Sequence, residues 1–293
     1  MMAAQRTAWA VGLAVGAAVA LGGCAPATQL AVVSMLPILQ NTANAARERS
    51  DLAMVGVGLP ANLLLLDGLI RTAPKNADLL ALGSYLYFGY GLGFVENDNP
   101  KLASEYYAMG RDYGLRALER HPLFRKGRKG DLEAFKRGLR EARKNDMPAL
   151  AWTGANWGRW LSLNLESAAA IAEMPRLEAL LDRMLEIDPT FEHGLPHALR
   201  GTYDAMRPEL FGGSSARARE HFEAALRLSD RHVLLYLVFY AEFYCRQTLD
   251  EQCFVGLLDE VLAAPDALPE ERLLNEIGRE RARKLKERRT ELF

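Results

Sequence analysis

The stretch Ala218-Arg219-Glu220-His221-Phe222-Glu223-Ala224-Ala225-Leu226-Arg227-Leu228 decides the fold class. At 3.6 residues per turn, Ala218, Phe222 and Ala225 fall on one helical face as small residue, ring, small residue. The small residues let a second helix approach closely, and the ring fills the gap to the next layer. Ala103, Tyr107 and Gly110 repeat the same spacing. Nothing in the rest of the chain alternates with a period of two for long enough to argue a sheet, and apolar residues recur at three and four. Turn chemistry at Gly58-Leu59-Pro60, Ala73-Pro74, Glu96–Pro100, Asn145–Pro148, Asp188-Pro189, Gly212-Gly213-Ser214 and Ala264-Pro265-Asp266 divides the chain into about a dozen helices. Prolines are expected between helices or in first turns, where the missing N–H costs little. The expectation is an all-α chain of mostly antiparallel helix pairs.

That pattern resembles the tetratricopeptide repeat, a unit of ~34 residues that stacks into solenoids. Met184-Leu185-Glu186-Ile187-Asp188-Pro189 matches the usual repeat terminus, and Leu69–Pro74 matches it more loosely. The loops Glu96–Pro100 and Pro208–Ser215 exceed the consensus. The expected architecture is therefore a tetratricopeptide-like helical-hairpin solenoid of four or five degenerate repeats around one continuous core.

At the N-terminus, Arg6 precedes a small apolar run, Thr7–Ala20, and then Leu21-Gly22-Gly23-Cys24. A run of about fourteen residues is shorter than the ~20 that span a membrane and suits a signal peptide. The segment resembles the lipobox of bacterial lipoproteins. By that resemblance residues 1–23 are removed, Cys24 is acylated, 24–50 form a lipidated N-terminus and first helix, and 51–293 form the helical domain. Two acyl chains anchor stably, at ~0.8 kcal/mol per buried CH2. No second apolar run is expected to reach spanning length, so the exported part reads as soluble and tethered. Ala25, rather than aspartate, leans the anchor toward the outer membrane.

The 293 residues carry a formal charge of −1 with both signs interspersed, which gives no footprint for nucleic acid. Besides Cys24 the cysteines are Cys245 and Cys253, flanking a helix end and a new helix start capped by Asp250. A hairpin there could bring their Cα atoms within the ~4.4–6.8 Å of a disulfide, permitted in the periplasm. Two buried thiols are the other reading.

Enzyme chemistry has little support. Among five histidines only His193 and His197 stand one helical turn apart, beside Glu192, and no further ligand has matching spacing. Neither a metal nor another cofactor is expected, and no phosphate loop, nucleophile elbow or cysteine–histidine pairing is present. Aromatic clusters are the stronger signal. Trp152, Trp157 and Trp160 share one segment, with Trp160 roughly 80° and Trp157 about 140° from Trp152 around a helix. They are either core wedges or part of a ligand or partner groove, for which the candidates are Trp152, Asn156, Trp157, Trp160, Tyr203 and Phe211. Tyr85–Phe94 is aromatic and glycine-rich, which implies close helix approach or a bend. Tyr236–Tyr244 is apolar nearly all round, as a central buried helix would be. The basic last helix, Arg279 to Arg289, reads as a solvated cap or as a contact for anionic lipid or an acidic partner.

Taken together, the lipobox with Ala103–Leu118, Trp152–Trp160, Pro175–Pro189, His197–Tyr203, Pro208–Leu228 and Phe243–Leu262 is similar to the T-component lipoproteins of tetratricopeptide-repeat-associated TRAP transporters (TatT-like). The resemblance implies a periplasmic scaffold that associates with the substrate-binding P-component of a TRAP system. In such systems separate membrane subunits use an ion gradient for uptake. It also implies a role in holding or passing small apolar or organic-acid ligands, and it is compatible with a homo-oligomer. It supplies no catalytic motif, and Cys24 alone is carried over. The alternative is a scaffold lipoprotein for envelope assembly with a different partner.

Overall fold

A computed structural model describes residues 24–207, 209 and 212–293, with side chains excluded at 24–28, 30, 31 and 33. The signal segment, the Cys24 side chain and Phe211 therefore lie outside the described residues. The fold is 81% helical, with fourteen α-helices and no strand among the described residues.

Chain order begins with α1 (Cys24–Arg47), α2 (Leu52–Thr72) and α3 (Ala77–Tyr90), which runs into a π-turn at Gly91–Val95. Next come α4 (Pro100–Leu118), two short helices α5 (Pro122–Gly127) and α6 (Leu132–Leu139), α7 (Met147–Ser162), α8 (Ala168–Ile187), α9 (Phe191–Met206) and α10 (Ser215–Leu228). The chain closes with α11 (Leu234–Phe239), extended by a π-turn at Tyr240–Cys245, then α12 (Glu251–Ala263), α13 (Arg272–Glu287) and α14 (Arg289–Leu292). Short polar side chains set the starts. Asp51, Asn76, Asn99, Asp131, Ser214 and Asp250 each accept an N–H of the first turn, an interaction worth ~1 kcal/mol per cap.

The small–ring–small faces pack as their spacing requires. Ala218, Phe222 and Ala225 are fully buried on α10, and Phe222 leaves only 3.0 Å for any Cβ at Gly201 of α9. Ala103 and Tyr107 are equally buried on α4, where Gly110 lies against Asn156 of α7. Successive hairpins α3–α4, α7–α8, α9–α10 and α11–α12 follow, consistent with a degenerate tetratricopeptide-like arrangement around one core. The small pair α5–α6 is held by Phe124 on Phe135.

Three expectations are corrected. Gly58-Leu59-Pro60 is not a turn, because α2 runs straight through Pro60, and Pro37 and Pro175 also sit inside helices. A proline inside a helix costs ~3 kcal/mol or more. In α2, burial of Val55 before it and of Leu63, Leu66 and Ile70 after it outweighs that cost. Unbroken, α2 is long and apolar enough, by length and composition, to cross a membrane, against the expectation that no second run reaches that length. Its other face exposes Met54, Val57 and Leu64, while Asp67 accepts hydrogen bonds from Tyr87 at 2.7 Å and Tyr113 at 2.8 Å. Finally, α13 is no outer cap. It returns to the start of the fold, where Arg47 of α1 pairs with Glu271 and Arg272 donates to the Glu48 carbonyl at 3.1 Å. Its Ile277, Ala282 and Leu285 are buried.

Candidate functional site

The site is built where the π-turn after α3 delivers Glu96 into the centre of the fold. Glycines make that approach feasible, since a Cβ on Gly91 would stand 2.8 Å from the Tyr107 ring and one on Gly93 2.6 Å from Ile277. Four charged groups meet there. Arg159 of α7 grips Glu96 with two nitrogens, its Nε at 3.0 Å from Oε2. Tyr107 donates its hydroxyl to the same oxygen at 2.6 Å. Arg281 of α13 donates to Glu96 Oε1 at 2.8 Å and takes Glu242 of the α11 π-turn in a bidentate grip at 2.8 and 2.9 Å.

Each of these four side chains is no more than 10% exposed. Burial penalises the Glu96 carboxylate, but the guanidiniums of Arg159 and Arg281 outweigh burial and hold its pKa down at about 2. The same two cations overcome burial at Glu242 and lower its pKa too. Two positive and two negative charges thus compensate one another. One donor is left over. Arg159 Nη1 is buried with no hydrogen-bond partner, and Glu242 Oε1 stands 3.6 Å away. The same guanidinium lies over the rings of Phe243 (5.2 Å) and Phe239 (5.8 Å).

This network separates two cavities. On one side is a polar cavity of about 690 Å³, floored by the four charged groups and rimmed by Arg246, Lys284 and Arg288. On the other is a small apolar cavity of about 70 Å³, walled by Tyr85, Phe88, Trp152, Tyr236 and Phe239. Three helices contribute to both. In α7, α11 and α13, respectively, Trp152, Phe239 and Ile277 face the apolar cavity, while Arg159, Glu242 and Arg281 floor the polar one one or two turns further on.

At its polar end the apolar cavity holds Arg47, Glu192 and Glu271. Burial pushes the Glu271 carboxyl up to about 7, against the pull of Arg47 beside it. Next to it Glu192, His193 and Gly194 adopt positive φ of 44°, 55° and 95°, a left-handed run that kinks the start of α9. Tyr236 donates to the carbonyl of Glu192 at 2.5 Å. The kink corrects the reading of His193 and His197 as one turn apart. His197 instead meets His221 of α10, Nδ1 to Nδ1 at 2.9 Å, and burial lowers the pKa of both. No group of three or more ligand-type side chains that could hold a metal stands among the described residues.

The groove candidates do not converge. Trp152 alone lines the apolar cavity. Trp157 is buried edge-on to Phe135, and Trp160 lies half-buried with the Arg111 guanidinium 4.4 Å above it. Asn156 is buried, donating to the Ser84 carbonyl at 2.8 Å. Tyr203 is buried beneath Arg207 and donates to the Met174 carbonyl at 3.0 Å. Cys245 and Cys253 form a disulfide across 5.8 Å between Cα atoms. The basic residues of α13 and α14 are tied down: Arg279 to Asp266, Arg283 to Glu280, Lys286 to Asp259 and Arg289 to Glu251. Sequence reasoning missed Glu96, Arg159, Glu242 and Arg281. Two of them carried a signal, as single charges inside aromatic-rich stretches, Glu242 within Tyr236–Tyr244 and Arg159 between Trp157 and Trp160.

Helical hairpins packed around a charged septum, with a cavity on either side, make this an all-α helical-hairpin class of protein. The model of the TRAP transporter T-component family matches residues 48–293. The chain belongs to that family and is a component of a TRAP transporter. It is also similar to an uncharacterised protein of Treponema pallidum (strain Nichols), 26% identical over 256 residues that make up 82% of this chain and 79% of the relative.

Proposed function

We propose that this T-component is a non-enzymatic periplasmic lipoprotein, held through acyl chains on Cys24, more readily at the outer membrane. It associates with the substrate-binding P-component of its TRAP system and holds or passes small apolar or organic-acid ligands. The observation that carries the ligand part is the pair of cavities set on either side of the Glu96–Arg159–Glu242–Arg281 network. Tethering supports the docking part, because confinement to a membrane surface raises the effective concentration for partners held nearby.

The test is an affinity pull-down of the full chain from cells, under conditions that preserve weak complexes, with mass spectrometry of the captured proteins and of the N-terminal peptide. Recovery of a TRAP solute-binding protein and an acylated Cys24 is the expected result. An unmodified N-terminus overturns the anchoring, and absence of any solute-binding protein overturns the docking.

A further inference from the structure

We propose that the exposed face of α2, with the groove between it and α1, rests on the surface of an anionic phospholipid membrane. The inference deepens the tethered reading above by naming a second contact with the membrane, and it involves neither a transported ligand nor a P-component.

Apolar exposure is the first argument. Among the described residues, five of twelve exposed large hydrophobic side chains lie on these two helices, Ile38 on α1 and Met54, Val57, Leu64 and Leu65 on α2. At 3.6 residues per turn, Met54, Val57, Ala61, Leu64, Leu65 and Gly68 span only ~100° of the α2 surface. A Cβ at Gly58 or Gly68 would meet nothing within 4 Å, so no described part of the fold covers the stripe there. Apolar exposure gathered in this way marks a surface that something else covers. Beside the stripe, an open groove of about 220 Å³ runs between α1 and α2, walled by Leu39, Ala43, Met54, Val55 and Leu59.

Charge names the occupant. Asp67 is the one charged residue of α2 before Arg71, and it is turned inward to Tyr87 and Tyr113. The stripe can therefore enter hydrocarbon without stranding a charge. Exposed cations stand at its ends, Arg49 beside the groove, Arg71 in the last turn of α2 and Lys75 just after it, none ion-paired with any described side chain. Glu48 and Asp51 offset Arg49, so the excess positive charge lies at the Arg71–Lys75 end, where it suits anionic head groups. Chain direction is the third argument. The short loop 48–51 turns α1 back along α2, so α1 begins, at Cys24, on the side of that basic end. Acyl chains on Cys24 and the cations thus meet the same membrane. Val55, Leu63, Leu66 and Ile70 stay buried against the fold and hold α2 on the protein. It lies in the plane of the leaflet, as interfacial helices do, and does not cross it.

The test is photo-cross-linking of the full chain, purified from cells and placed on vesicles of phosphatidylethanolamine with phosphatidylglycerol. The photoreactive residue p-benzoylphenylalanine is introduced singly at Val57, at Leu64 and, as control, at Ile171, exposed on α8 with α7 and the α3–α4 hairpin between it and α2. Lipid adducts are expected at Val57 and Leu64 at least fivefold more often than at Ile171. Arg71→Gln with Lys75→Gln, both on exposed side chains, is expected to lower the yield at Val57 at least twofold. Adducts between two copies of the chain in place of lipid, or lipid adducts at Val57 no more frequent than at Ile171, would overturn the assignment. A yield unchanged by the paired substitution would overturn the choice of an anionic surface. The mass of the N-terminal peptide, read from the same samples, separates this inference from the anchor. Lipid adducts at Val57 beside an unmodified Cys24 uphold the face and sink the anchor, whereas an acylated Cys24 without such adducts does the reverse.

Discussion

Arg281 donates to Glu96 across 185 residues of sequence, at 2.8 Å, and the contact ties the last long helix to the turn that ends α3. Both side chains are almost wholly buried and each also serves another charged partner, so the pair closes the fold through its middle rather than over its surface.

Removing one member of such a network leaves its partner charged and dry. Arg281→Met is expected to destabilise the protein by about 3–5 kcal/mol, because Glu96 and Glu242 then share only Arg159. Urea unfolding followed by circular dichroism measures it. A loss below 1 kcal/mol would mean that the network is hydrated and replaceable.

Acid should reach the same network. Glu96 has a folded pKa lowered to about 2, so its stabilisation is complete above the ordinary carboxylate value near 4.5 and disappears as pH falls from there toward 2. Denaturation midpoints between pH 5 and pH 2.5 should fall steeply in wild type and less so in Glu96→Gln, which begins less stable.

Glu271 acts with the opposite sign. Its folded pKa, raised to about 7 by burial, means that the folded state keeps a proton that the unfolded chain releases near 4.5. Its contribution is present below 4.5 and is lost as pH rises to about 7. Glu271→Gln should therefore gain melting temperature relative to wild type between pH 5 and pH 7.5. An equal difference at both pH values would remove burial as the dominant cause.

His197 and His221 titrate lower in the fold than in the open chain, because burial disfavours the imidazolium, and at His197 the neighbouring His221 adds to that effect. Their contribution is intact above about 6.5 and is lost as pH falls below it. Ring-proton titration by NMR should give midpoints under 6.5 for both, and His221→Gln should raise that of His197.

Close helix approach can be tested at Gly114, where a Cβ would collide with the Thr153 hydroxyl, itself bound to the Ala149 carbonyl at 2.6 Å. Gly114→Val should cost about 1–3 kcal/mol by overpacking, read from urea midpoints. Gly158→Ala, where nothing stands within 4 Å, should be neutral or stabilising and is the internal control.

Much of the fold was legible in the chain because its causes are local. The spacing of Ala218, Phe222 and Ala225 follows from helical periodicity, and the caps at Ser214 and Asp250 follow from one side-chain oxygen meeting the first-turn amides. The glycines of Gly91-Leu92-Gly93 announced close packing, and Tyr107 and Ile277 are the side chains they admit. Where local reasoning erred, tertiary burial overrode it. Pro60 reads as a stop, yet the apolar face on both sides of it keeps α2 continuous. His193 and His197 read as one helical turn, yet the left-handed run through Gly194 separates them.

By itself, then, the sequence determined an all-α chain of close-packed hairpins, because period, capping and turn chemistry act over fewer than ten residues. Only the tertiary structure decided that the last long helix, α13, returns to the first. It also decided that Glu96, Arg159, Glu242 and Arg281 meet in the interior to divide one cavity from another. Their attraction is strong only where water is excluded. No spacing along the chain reveals which charges folding will bury together.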